Sequence, residues 1–243
     1  MSRLGLGIAL AAAFIGGFGR ASAESPEADV ALILAIDVSG SVDDDRFNLQ
    51  REGIADALDS DDFAKLLSGG AHQTIEIAIV EWAEEQAVTL PWTVIRGRAD
   101  LAALANRVRR ADRAWMHVMT DPAGGIAAAD LLFATAPAPA ERKVIDVSGD
   151  GRQNVGEIAA AEARDRAVAH DVTVNGLPIT SGEDRYVDDW YRDNVIGGPG
   201  AFLVVADGYA AFASAFKQKL SLEVAGLRPN QRFAVVRTPV AMR

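Results

Sequence analysis

From Val30 to Ile36 every residue is apolar, and the run ends abruptly at Asp37. A short, unbroken apolar run of this kind suits a strand covered on both faces, since a strand with one wet face alternates. The chain then turns to Val38-Ser39-Gly40-Ser41 and to the acids Asp43, Asp44 and Asp45. One carboxylate and two hydroxyls at alternate positions, Asp37, Ser39 and Ser41, thus sit on a strand-to-helix loop. Their hard oxygens suit Mg²⁺, Mn²⁺ or Ca²⁺ and are poor ligands for soft metals.

The rest of the chain supplies what such a strand needs. Asp43 to Leu58 carries Phe47, Ile54 and Leu58 on one helical face, with Ser41 or Asp43 as its cap. Ile75, Ile77 and Ile79 and then Val88, Leu90, Trp92 and Val94 mark two strands joined as a hairpin around Glu84-Glu85, with Pro91 placing the second at a sheet edge. Helices are expected over 98–110, 126–136, 157–170, 184–195 and 209–224, and strands over 144–147, 172–177 and 201–206. The segment from Ala111 to Gly125 reads as a loop, and Ala-Pro-Ala-Pro at 136–139 as a helix stop. Strands alternating with helices imply an α/β fold, doubly wound, with a mostly parallel central sheet and helices on both faces.

Composition narrows the function. The 243 residues hold no cysteine, which excludes a thiol nucleophile and a Cys-ligated zinc site. Arg3, the apolar segment Leu4 to Phe18 and Ala21-Ser22-Ala23 fit an export signal cleaved after Ala23. The expected organisation is a signal peptide over 1–23, one domain over 24–225 and a basic tail over 226–243, in a protein that is periplasmic or secreted. The tail holds Arg228, Arg232, Arg237 and Arg243 with no acid, and Phe233 to Val236 could add an edge strand. Net charge is −10, and it becomes −12 without Arg3 and Arg20. Nucleic acid and anionic membranes are therefore poor partners for this chain.

A second strand, Val144 to Val147, also ends in an acid-bearing loop, Ser148-Gly149-Asp150-Gly151. Ligands of open α/β sheets bind beyond the carboxyl ends of the strands, where strand order reverses. If the two strands are neighbours, Asp37 and Asp150 meet there, and two close carboxylates call for a cation or a proton between them. His72, His117 and His170 show no ligand spacing and read as surface or loop residues. No Gly-x-Ser-x-Gly elbow or Walker A loop is present. Tyr186, Trp190 and Tyr191 read as packing over a sheet edge, and Asp188-Asp189 as a solvated face.

With these residues in place, the chain resembles the von Willebrand factor A domain family over about Asp29 to Val224. Asp37, Ser39 and Ser41 match the family's metal-ion-dependent adhesion site, and Asp150 matches its later aspartate. Val144 to Gly151 and Tyr191 to Phe202 look more narrowly like a group of exported bacterial proteins. The resemblance implies a Rossmann-like fold and a binding module that takes a protein partner's carboxylate through Mg²⁺, Mn²⁺ or Ca²⁺. The departure is at Gly124, which stands where the family has a threonine. Thr120 or Asp121 could take over if the loop folds back, a water could fill the position, or the site could have lost strong metal binding. Rival expectations are a metal-dependent phosphate-ester hydrolase with Asp37 as nucleophile, and a scaffold whose site is vestigial.

Overall fold

The computed structural model describes residues 27–116, 118–180, 184–225 and 234–238. The expected export signal, His117 and the tail residues Arg228, Arg232 and Arg243 lie outside the described residues. The apolar run forms β1 (Val30–Asp37), buried along its whole length. It pairs in parallel with β2 (Ile75–Trp82) on one side and β4 (Lys143–Gly149) on the other. β3 (Gln86–Ile95) returns antiparallel to β2 and forms the sheet edge. The register shifts on either side of Ile79, opposite the stretch that holds Pro91, so the residue without an amide hydrogen falls at an irregularity of an edge strand. β5 (Val172–Pro178), β6 (Phe202–Ala206) and β7 (Ala234–Thr238) extend the sheet in the order β3-β2-β1-β4-β5-β6-β7. The described part of the tail is therefore an edge strand, parallel to β6.

Alternate residues of β1 feed two separate cores, as a pleated strand requires. Leu32, Leu34 and Ile36 pack toward α1 (Asp44–Leu58), α3 (Arg98–Arg110) and α7 (Phe212–Val224), through Ile54, Leu104, Phe212 and Phe216 among others. Ile33 and Ala35 face α4 (Pro122–Leu132), α5 (Ala160–Ala169) and α6 (Val187–Asn194), through Ile126, Ala163 and Tyr191. A short α2 (Asp61–Ser68), capped by Ser60, completes the β1-to-β2 crossover.

The largest local difference from the pattern-based expectation is α4. Its first turn starts at Pro122, inside the segment read as loop, because Gly124 and Gly125 look like helix breakers in sequence. Here they are clearance instead. A β-carbon at Gly125 would lie 2.7 Å from Trp82 Cγ, so the bare backbone lets the helix seat on β2. α5 and α6 likewise begin three residues later than expected, at Ala160 and Val187. Asp188 is not on a solvated face. It is buried and paired with Arg237 of β7. Tyr186 is exposed, Trp190 is partly buried beside the second core, and Tyr191 lies fully buried within it.

Candidate metal centre

β1 is the strand where the order reverses, since the chain leaves it toward β2 and later comes back to its other side as β4. Ile36 pairs with Ser148, so Asp37 and Asp150 emerge together at the carboxyl edge of this pair. The topology thus joins the two acid-bearing loops that sequence placed 113 residues apart.

Each oxygen in the first loop has a defined position. Asp37 is fully buried, and its Oδ1 accepts a hydrogen bond from the Ser39 amide at 2.7 Å. The Ser39 and Ser41 hydroxyls lie 3.3 Å apart, and Ser41 donates to Asp150 Oδ1 at 2.5 Å. The remaining oxygens, Asp37 Oδ2 and Asp150 Oδ2, are buried without a well-aligned hydrogen-bond partner. A buried carboxylate oxygen left in this state is costly unless something positive meets it. Burial first, and the Asp150 charge second, push the Asp37 carboxyl up to about 7.

The floor of the site is close-packed. A β-carbon at Gly149 would sit 2.6 Å from both Asp37 Oδ2 and the Tyr191 hydroxyl, and 3.0 Å from the Trp82 ring, so only glycine fits at the end of β4. The Tyr191 phenol is raised well above its ordinary value by burial and by Asp37 and Asp150. Tyr209 is raised by burial first and then by Asp150 and Asp37, and stays neutral. Two buried phenols therefore surround the carboxylates without adding charge.

Two arginines brace the first loop. Arg113 donates to the carbonyls of Val38 at 2.5 Å, Ser39 at 3.2 Å and Val42 at 2.7 Å, tying the loop to the segment after α3. Arg46, in the first turn of α1, donates to the Ser41 carbonyl at 2.5 Å and stands 3.6 Å from Asp150 Oδ2. Its guanidinium also lies 5.2 Å from the Tyr209 ring centroid. Asp43, not Ser41, caps α1, which leaves the Ser41 hydroxyl for Asp150.

The residues near the missing threonine separate into two groups. Gly124 lies in the first turn of α4, and a β-carbon there would meet Gln86 Nε2 at 2.4 Å and Asp121 Oδ2 at 2.6 Å. A threonine there would have to displace the ends of the Gln86 and Asp121 side chains. Thr120 is buried; its amide donates to the Asn154 side-chain Oδ1 at 2.8 Å, and its carbonyl accepts from the Asn154 amide at 3.0 Å. It packs on Gly151, with its hydroxyl 3.6 Å from where a Gly151 β-carbon would be. It is therefore carried to the Asp150 loop. Asp121 is aimed elsewhere, between Gly124 and Gly156, where it accepts from Gln153 at 3.3 Å.

Sequence reasoning missed Arg46, Arg113, Tyr191 and Tyr209. Arg113, Tyr191 and Tyr209 reach the site through tertiary packing, and Arg46 from the helix that follows the loop; none carries a spacing signal. Tyr191 was read only as a packing residue, and its burial beneath Asp37 gives it a second part.

The donor set, all oxygen and bearing two carboxylates, fits a hard divalent cation, and the two orphaned oxygens are what such an ion would satisfy. Asp37, Ser39 and Ser41 are the residues that could hold such an ion, with Asp150 behind Ser41.

Solved structures share the architecture. Proximal thread matrix protein 1 from the mussel byssus is similar at a TM-score of 0.62 and 14% identity, over 83% of this chain and 50% of that one. Another crystal structure of that protein is described as having zinc in its MIDAS motif. A von Willebrand factor type A protein of Catenulispora acidiphila aligns at a TM-score of 0.56 and 18% identity, over 82% of this chain and 43% of its own. The von Willebrand domain of the type V pili tip protein Mfa5 from Porphyromonas gingivalis aligns at 0.57 and 14%, over 84% of this chain and 98% of its own. The chain thus spans about half the length, or less, of the first two proteins. At these identities the likeness establishes the fold, which is that of von Willebrand A domains. No curated protein matches the sequence. Residues 27–228 match the family described as "Protein of unknown function (DUF1194)", and the chain belongs to that family.

Proposed function

We propose that this chain is an exported binding module that recognises a carboxylate of a protein partner through a divalent cation held by Asp37, Ser39 and Ser41. Asp150 acts through Ser41, and Thr120 supplies the hydroxyl that Gly124 cannot. Asp121 holds its loop rather than the ion. The observation that carries this reading is the close carboxylate pair, Asp37 and Asp150. Their Oδ2 atoms are buried with no aligned hydrogen bond among the described residues, and the Arg46 guanidinium comes no nearer to Asp150 Oδ2 than 3.6 Å. A bound Mg²⁺, Mn²⁺ or Ca²⁺ would supply positive charge there and an exchangeable coordination position.

Binding is preferred to catalysis on chemistry. Phosphate-ester hydrolysis with Asp37 as nucleophile requires a general acid for the leaving group. The phenols beside Asp37, Tyr191 and Tyr209, are raised above their ordinary range, and neither is poised to donate a proton near neutrality. The adhesion and matrix proteins that share the fold support the same preference. No helix among the described residues is long and apolar enough to cross a membrane. The export signal read in residues 1–23 supports a place in the periplasm or outside the cell.

Isothermal titration of the chain with Mg²⁺ and Mn²⁺ tests the site. One equivalent should bind, and Asp37→Ala should abolish it. A capture experiment from the exported protein fraction should then retain a partner only with the cation present and only with Asp37 intact. No binding heat for Mg²⁺, Mn²⁺ or Ca²⁺ in the folded wild-type chain would overturn the reading.

A further inference from the structure

At the opposite end of the sheet, three loops run side by side into the neighbouring strands β2, β1 and β4. They carry His72, Asp29 and Glu141 respectively. Backbone hydrogen bonds lock the loops together. The Asp29 amide donates to the Thr74 carbonyl at 2.8 Å, and the Glu141 amide to the Ala28 carbonyl at 2.9 Å. One ligand atom from each of the three side chains lies within 4.8 Å of the other two. His72 Nε2 and Glu141 Oε1 are 3.1 Å apart, close to the roughly 3.3 Å edge of a tetrahedron built on 2.0 Å metal–ligand bonds.

The Asp29 carboxylate is nearly buried and fixed in orientation. Its Oδ1 accepts the His72 amide at 3.0 Å and its Oδ2 the Thr74 amide at 3.3 Å. A carboxylate has about four lone-pair sites, so each oxygen keeps capacity for a further bond. Glu141 and His72 reach the surface, which gives an ion a way in. Two carboxylates and a neutral imidazole carry a charge of −2, which a divalent cation balances.

We infer that Asp29, His72 and Glu141 form a second cation site, of mixed nitrogen and oxygen donors, that takes a borderline divalent ion such as Zn²⁺. Imidazole selects zinc and its neighbours, whereas the all-oxygen donors at Asp37 select hard ions. The two ends of the sheet therefore differ in the metal they prefer. Three protein ligands leave the fourth position of a tetrahedral ion for water or an incoming group. His72, unremarkable by spacing, becomes a ligand through strand order alone. The bland alternative is a latch in which the three side chains only tie the loops by hydrogen bonds.

The test uses the tag-free chain carrying Asp37→Ala, so that the other site is silent. Zn²⁺ titration should give one equivalent, and Co²⁺ should show the intense visible absorption of a four-coordinate, nitrogen-ligated ion. Adding His72→Ala should remove both signals, and adding Glu141→Gln should weaken Zn²⁺ binding at least about tenfold. Both changes lie on the surface, and far-ultraviolet circular dichroism verifies that the fold persists. His170→Ala is the control, because the His170 side chain pairs with Asp130 at 2.8 Å and is not among the three clustered ligands, and it should leave the titration unchanged. The inference is overturned if Asp37→Ala binds no Zn²⁺, if His72→Ala leaves binding intact, or if His170→Ala removes it. These outcomes are independent of whether Mg²⁺ binds at Asp37.

Discussion

β4 contributes to two acidic pairs, and the protein treats them oppositely. Four residues before Asp150, Asp146 is buried against Glu223 of α7, with Lys219 between them. The Lys219 ammonium is 2.6 Å from Asp146 Oδ1 and 2.5 Å from Glu223 Oε1, and Asn175 adds a hydrogen bond to Glu223 at 3.0 Å. Among the described residues, nothing comparable stands between Asp37 and Asp150. Arg46 stays 3.6 Å from Asp150, partly exposed and engaged with the Ser41 carbonyl. One pair is thus closed by a cation the chain carries itself. The other has no such cation between its carboxylates among the described residues, and the proposed metal site rests on that difference. A buried ion cluster with its own lysine is architecture, while a carboxylate pair at a strand edge without one is suited to a ligand.

The comparison breaks most sharply at Lys219. Lys219→Met strands two carboxylates in the core and should cost about 3–5 kcal/mol in urea denaturation at neutral pH. A loss below about 1 kcal/mol would mean that the carboxyls simply take up protons, and that the lysine is not what closes the pair.

Asp37→Asn should behave in the opposite sense. In chelator it removes a buried, unsatisfied charge, so the metal-free fold should be as stable as wild type or more so. What it removes is the response to cation. Wild type should gain about 2.7 kcal/mol at a metal concentration 100 times Kd, and the variant nothing. If Asp37→Asn instead destabilises the metal-free protein by as much as Lys219→Met does, the site is structural and the contrast between the two pairs fails.

How much of this was legible follows from how each feature is encoded. β1, β2 and α3 announce themselves by local period, because burial on fixed faces imposes it. Asp37, Ser39, Ser41 and Asp150 were legible as a set because strand ends in a doubly wound sheet converge. Arg113 was not, since its value lies in reaching three carbonyls of a loop some 70 residues earlier. Lys219 falls on the buried side of α7, where a charged residue argues against the pattern until Asp146 and Glu223 are seen beside it. Gly124 was legible as a departure but not as a requirement, because its clash partners come from β3 and from Asp121.

That requirement gives a smaller effect. Gly124→Thr restores the residue the von Willebrand pattern expects, yet it should cost about 1–3 kcal/mol by overpacking against Gln86 and Asp121. Cation affinity should not rise. Tighter Mn²⁺ binding in a stable Gly124→Thr protein would show that the loop can open to admit the hydroxyl, and that Thr120 is not the substitute.

The smallest expected effect is on pH, and it isolates the closed pair. Burial, then the Glu223 charge, raise the Asp146 carboxyl to about 7, with Lys219 opposing them. Because the two acids share one lysine, the extra proton belongs to the pair rather than to one residue. The folded state then keeps a proton that the unfolded chain gives up near its ordinary carboxyl pKa of about 4. Stability from this source is fully present below pH 4 and is lost as pH rises toward 7, by at most about 1.4 kcal/mol per pH unit. Asp37, also raised to about 7, acts in the same direction in metal-free wild type. Glu76, Glu81 and Asp121, raised by burial, also act in this direction. The closed pair is therefore read as the difference that Glu223→Gln makes in the Asp37→Asn background, by urea denaturation in chelator from pH 5 to 8. A falling curve that Glu223→Gln flattens is the expected result. A curve that is flat in Asp37→Asn itself would mean that the lysine neutralises both acids, and that the protonated pair is the one at the metal centre.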